Sequence, residues 1–154
     1  MFSIHILSSN KRQRGSTIVE LSIVAVLFFA IFFTIVDLSV YGYVKLTMQN
    51  AVREGSRYAI TGRTDLDSDG DRTAAILKKI SQASNGYLTK VTSIDEIRVE
   101  DINGNAVSGF GESGDIVAIH IDCEWPSSSP LISPFLSHGN YHFTVSSAMK
   151  NESF

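Results

Sequence analysis

Asp65, Asp67, Asp69 and Asp71 place a carboxylate at every second position, with Gly70 before the last. A calcium loop uses carboxylates at its first, third and fifth positions and a sharp glycine turn at its sixth, which Asp65, Asp67, Asp69 and Gly70 match. The twelfth position, where a bidentate Glu normally closes the site, is Ile76. Two roles stay open: a calcium site weaker than a full EF-hand, and a solvated acidic loop in which Asp71 or Asp69 caps the next helix. His120 and His142 fall in two alternating stretches, and Asp122 could complete a zinc set with them. Exposed strand histidines account for the same pattern. Cys123 is the single cysteine, so an internal disulfide is excluded. Its place among alternating apolar residues predicts a small core side chain; a bond to a partner subunit in an oxidising compartment is the alternative. No serine sits in a Gly-x-Ser-x-Gly context and no nucleophile has a base in view, so a non-enzymatic role is expected. Two further acids, Glu20 and Asp37, flank an apolar run, where a charge is costly and needs a reason.

That run sets the architecture. From Leu21 to Val36 every residue is apolar except Ser22 and Thr34. A membrane-spanning helix needs roughly 20 mostly apolar residues to cross a ~30 Å hydrocarbon layer. Ile18 to Val40 reaches this length with Glu20 and Asp37 near its ends. At the outer end, Asp37 is expected to reach the interface; pairing with a basic residue of a neighbouring helix is the alternative. Beyond the run, Val44, Met48, Ala51, Gly55 and Tyr58 fall at steps of four and three, which makes one apolar stripe. Lys45, Gln49, Arg53 and Glu54 lie off it. One continuous helix from about Ser16 to Ile60 is predicted, apolar all round in its first half and amphipathic in its second, with Gly62 as its stop.

The remaining chain reads as a small mixed domain. Thr73 to Ser84 predicts a second helix with Ile76, Leu77, Ile80 and Ala83 on its apolar face and Asn85-Gly86 as its end. Ile97 and Val99 alternate with Arg98 and Glu100, a strand signal, and Asn103-Gly104 is a hairpin turn signal. Val117, Ile119, Ile121 and Cys123 alternate with polar or small residues as the clearest strand, ended by Trp125-Pro126. Residues 126–139 hold all three prolines and form a long connection. Tyr141, Phe143 and Val145 make a last strand. The expected class is α+β: a long N-terminal helix packed on a small antiparallel sheet, with one additional short helix.

The start of the chain is unlike an ordinary secretory signal, whose cleavage site follows its apolar region. Here a basic leader with Lys11, Arg12 and Arg14 ends at Gly15, before the apolar run, and Glu20 would be the fifth residue of a product beginning at Ser16. This resembles the class III signal of prepilins and pseudopilins. Arg14-Gly15-Ser16-Thr17-Ile18-Val19-Glu20, then Asn50-Ala51-Val52-Arg53-Glu54-Gly55-Ser56-Arg57-Tyr58-Ala59, together with a final strand like Thr144 to Glu152, resembles the TadE family of tight-adherence (Flp-type) pilus systems; residues 62–113 carry little of the likeness. The resemblance implies a minor pilin or pseudopilin, cut between Gly15 and Ser16 by a prepilin peptidase. It implies other minor pilins, the major Flp pilin and the inner-membrane assembly platform as partners, and a place at the pilus tip or in priming assembly. It also implies that Glu20 neutralises the new α-amino group of a neighbouring subunit and so sets register. One helical turn separates residues 16 and 20, so the same subunit could supply that amine. An uncut signal anchor, in which the basic cluster only sets topology, stays open as a reading of the leader.

The division expected is a leader at 1–15, a transmembrane segment at 16–43 and an extracytoplasmic domain at 44–154. Positive flanks stay in the cytoplasm, which places the domain in the periplasm or outside the cell in a pilus. The leader holds three of the 13 basic side chains and none of the 16 acids, so the rest carries 10 against 16, a net −6. That balance argues against nucleic acid and anionic lipid surfaces as partners. A related TadF- or TadG-like assembly protein, and a signal-anchored periplasmic calcium-binding module, are the alternative functions. No cofactor is expected apart from calcium at the Asp-rich loop.

Overall fold

A 48-residue helix, α1 (Gln13–Ile60), forms the spine of the molecule in a computed structural model that describes residues 13–91 and 97–153. Lys11, Arg12 and the rest of the leader before Gln13 lie outside the described residues. At 1.5 Å per residue α1 is about 72 Å long. Its first half is exposed on all sides, as the uniformly apolar sequence requires. From Val44 onward one face is covered: Val44, Met48, Ala51, Val52, Gly55, Tyr58 and Ala59 are buried, while Lys45, Arg53 and Glu54 stay exposed. The 4-3-4-3 stripe is thus the packing face, widened by Val52 and Ala59. The helix ends where Gly62, at φ 63, returns its N–H to Ala59 O at 3.1 Å.

α2 (Arg72–Ala83) lies against this stripe through Ala75, Ile76 and Ile80. Ser84 and the left-handed Asn85 and Gly86 end it. A single further turn, α3 (Leu88–Val91), buries Leu88 and Val91. Periodicity could not show it, because four residues contain no repeat.

Three antiparallel strands follow: β1 (Ile97–Asp101), β2 (Ile116–Pro126) and β3 (Asn140–Lys150), in the order β1-β2-β3. The β2–β3 register runs from Ile116 opposite Lys150 to Pro126 opposite Asn140. Val117, Ile119, Ile121 and Cys123 on β2, and Tyr141, Phe143, Val145 and Met149 on β3, point into the core. Cys123 is there as a small apolar side chain, buried in the core. The Asn103-Gly104 signal does mark a tight turn, with Asp101 N bonded to Asn105 O at 2.9 Å. Its returning arm, however, makes only one bridge, Ala106 opposite Glu100, and then leaves the sheet. The segment that follows carries Phe110 into the core, pinned by Asn151, whose Nδ2 donates to Phe110 O at 3.0 Å and Glu112 O at 2.9 Å.

β3 and α1 run side by side and in the same direction. The Tyr41 and Tyr141 rings stack at 4.3 Å, Gln49 Nε2 donates to Ser146 O at 2.8 Å, and Glu152 N donates to Ile60 O at 3.1 Å. The connection from β2 to β3 therefore sits at the end of the sheet nearest the apolar half of α1.

Candidate functional site

The sequence-predicted site residues fall in two places. Gly15, Ser16 and Glu20 occupy the first turns of α1. Ser16 Oγ donates to Glu20 Oε1 at 3.0 Å, so the helix brings residue 16 within hydrogen-bond reach of the carboxylate before any cut is made. A new amine on Ser16 would be carried by that same residue. Gly15 has open space where a Cβ would stand. Glycine weakens a helix interior by about 0.5–1 kcal/mol relative to alanine, so this turn is a weak point of α1.

Asp65, Asp67, Asp69 and Asp71 fold as a loop whose carboxylates point to separate donors. Asp65 Oδ1 accepts from Tyr58 Oη at 2.8 Å and faces Arg63 Nε at 3.6 Å. Asp67 Oδ2 accepts from the N–H groups of Asp69 at 3.1 Å and Asp71 at 3.0 Å. Asp71 is the N-cap of α2, accepting from Thr73 N at 2.9 Å. The Tyr58 hydrogen bond, the largest influence, holds the Asp65 carboxyl below its ordinary value against a smaller upward push from burial. This contact is therefore complete at neutral pH and is lost as acid protonates Asp65. Among the described residues no three His, Cys, Asp or Glu side chains gather as a metal-binding set. As folded, the loop's carboxylates are each engaged by separate donors. Millimolar calcium is accordingly expected to leave the melting temperature unchanged, measured by circular dichroism of the whole protein. A rise of several degrees would show that the loop rebuilds into a chelating form.

His120 and His142 lie on neighbouring strands but out of register: His120 pairs with Ser146 and His142 with Glu124. Each faces a glutamate, Glu100 at 3.9 Å and Glu124 at 3.8 Å. Asp122 is bonded to Arg98 and Thr144 instead. The zinc alternative is not assembled.

Asp37 requires a correction. It does not reach water. It is 6% exposed, covered by the β2–β3 connection of its own chain. Oδ1 accepts from Ser128 N at 2.8 Å, and Oδ2 from Ser127 Oγ at 2.8 Å and Tyr141 Oη at 2.9 Å. One turn closer to the N-terminus, the Thr34 and Ser129 hydroxyls meet at 2.8 Å. A buried carboxylate can be satisfied by neutral donors alone when enough of them converge. Nothing in the local sequence around Asp37 announces this, because every donor comes from about 90 or more positions away. A serine triplet beside a proline-rich turn was the one available hint.

Gly15–Ile60 contains a stretch long and apolar enough to cross a membrane. Residues 15–57 match the sequence model of the family described as TadE-like protein. The match takes in Gly15, Ser16, Glu20 and the amphipathic continuation of α1 to Arg57; it leaves the sheet and α2 outside. No curated protein and no solved structure matches the chain.

Proposed function

We propose that this chain is a minor pilin or pseudopilin of a tight-adherence pilus system, held in the bacterial inner membrane by the first half of α1 and released from its leader between Gly15 and Ser16. The observation that carries the reading is the family match over residues 15–57, which includes both the cleavage glycine and Glu20. The protein has a structural role: a hydrophobic helix that packs among other pilin helices, with a small domain at its outer end. Glu20 pairs with an α-amino group that exists only after the cut, so processing and assembly act as one switch. In an apolar surrounding such a pair is worth most when complete, and leaving one charge alone is costly.

Mass spectrometry of the membrane protein from its own host is expected to find a new N-terminus at Ser16. In the same experiment Glu20→Ala protein is expected to be cut and inserted normally and to drop out of pili and of complexes with other pilins. An intact leader in the presence of the native peptidase would overturn the pilin reading. Wild-type incorporation of the Glu20→Ala protein would leave α1 as an anchor only.

A further inference from the structure

We infer that the β2–β3 connection is a second membrane contact, with Leu131 and Phe135 seated in the lipid of the outer leaflet beside α1. The inference rests on the membrane-anchored reading above and adds where the domain sits relative to the bilayer.

The first argument is height. Counted from Ser16 at 1.5 Å per residue, about 30 Å of hydrocarbon ends near Val36, and any tilt of α1 carries the boundary further along it. Ser127 and Ser128 are bonded to Asp37, and Ser129 to Thr34, so the connection follows α1 back toward its N-terminus. Pro130 to Leu136 follow as a turn in which Ser133 N donates to Ser129 O at 3.0 Å, and the chain returns at Gly139, whose carbonyl accepts from Ser127 N at 3.0 Å. A loop fastened to Thr34 and Asp37 cannot stand clear of the headgroups.

The second argument is chemistry. Between Trp125 and Tyr141 there is no Asp, Glu, Lys or Arg. Phe135 is 88% exposed and Leu131 47%, which is an unusual way to leave two large apolar side chains in water. Part of the backbone suits lipid as well. Pro130 and Pro134 have no N–H, while Ser133, Phe135 and Leu136 donate theirs within the loop, to Ser129, Ile132 and Ser133. Polar backbone groups entering a bilayer must be satisfied in this way. Above the loop two groups of rings meet: Tyr41 with Tyr141 at 4.3 Å, and Tyr87 with Tyr43 at 6.2 Å and with Trp125 at 5.9 Å. Tyrosine and tryptophan at this level are the usual occupants of a membrane–water interface. The contact also gives the covered Asp37 a purpose: its three donors shield a carboxylate that would otherwise face the acyl chains.

The test uses full-length protein at one copy per lipid nanodisc. Cys123 is buried, so Phe29→Cys, Phe135→Cys and Glu112→Cys can each be labelled with an environment-sensitive NBD dye, with unmutated protein as the labelling blank. Nitroxide lipids labelled near the headgroup are expected to dim the dye at 135 at least about twofold, as for a side chain at the acyl boundary, and to leave the dye at 112 unchanged. Deep nitroxides are expected to dim the dye at 29. A dye at 135 as bright as that at 112, with 29 still quenched, would overturn the inference and leave the anchor standing. An unquenched dye at 29 would instead remove the anchor. In a parallel sample loaded at two copies per disc, a blue shift at 135 without quenching would place a second copy on the loop and also overturn the inference.

Discussion

Gly55→Ala is expected to lower the melting temperature of the domain by about 10 °C, although alanine is the better helix former. A Cβ at position 55 would stand 2.2 Å from Ile80 Cγ1 and 2.8 Å from Cδ1, where ordinary contact begins near 3.4 Å. Ile80 is fully buried and β-branched, so its Cγ1 has no second rotamer to swing into within a helix. α1 and α2 must separate instead. Overpacking of this kind costs typically 1–3 kcal/mol, occasionally more, against a gain of about 1 kcal/mol from helix propensity, and the packing cost wins. Gly55→Leu puts three more carbons into the same space and is expected to undock α2 altogether. The mechanism has an internal check. Ile80 Cβ lies 3.6 Å from the new Cβ, so Gly55→Ala combined with Ile80→Ala removes the clash. Ile80→Ala alone leaves a cavity and costs about 2–5 kcal/mol. The double variant should therefore be more stable than the sum of the two losses implies, by about 1 kcal/mol or more. A melting temperature raised by Gly55→Ala would mean that the two helices do not approach this closely.

Asp37→Ala should cost roughly 2–4 kcal/mol, because it strands Ser128 N, Ser127 Oγ and Tyr141 Oη together under a covered surface. Asp37→Asn should cost about 1 kcal/mol. The amide can keep its oxygen toward Ser128 N, which can only donate, and turn its NH₂ toward the two hydroxyls, which can rotate to accept. Limited proteolysis within residues 127–139, alongside thermal unfolding, measures both. The alanine protein should be cut early in the connection and the asparagine protein slowly. Equal behaviour of the two variants would show that the carboxylate is not the fastening point.

Most of the framework was legible because it is written in local repeats. The 4-3-4-3 stripe of α1, the two-residue alternation of β2 and β3, and the Asp71 cap each need only a window of neighbouring residues. What escaped depended on distant partners. Asp37 reads as a stray acid until Ser127, Ser128 and Tyr141 are brought to it. Gly55 fits the stripe but does not reveal that Ile80 closes on its bare backbone. The Asp65–Asp71 run has the spacing of a chelating loop, yet Tyr58 and the N–H groups of Asp69, Asp71 and Thr73 take up its oxygens. Spacing along the chain fixes where carboxylates are attached, while the loop's own hydrogen bonds fix where they point.

The side-by-side course of α1 and β3 also dictates when the molecule can fold. β3, which covers one side of the helix, begins 80 residues after the helix ends. Between the emergence of Ile60 and that of Lys150 the ribosome adds 90 residues, about 5–18 s at ordinary rates of synthesis. During that interval the apolar stripe from Val44 to Tyr58 has α2 to pack against but lacks the cover that β3 supplies. Contacts this far apart in sequence also carry a loop-closure entropy that only the completed sheet offsets. The nascent domain thus passes through a stage in which part of the apolar stripe is uncovered. A chain truncated before β3 would remain at that stage, so exposure of the stripe reports whether Asn140–Lys150 has docked.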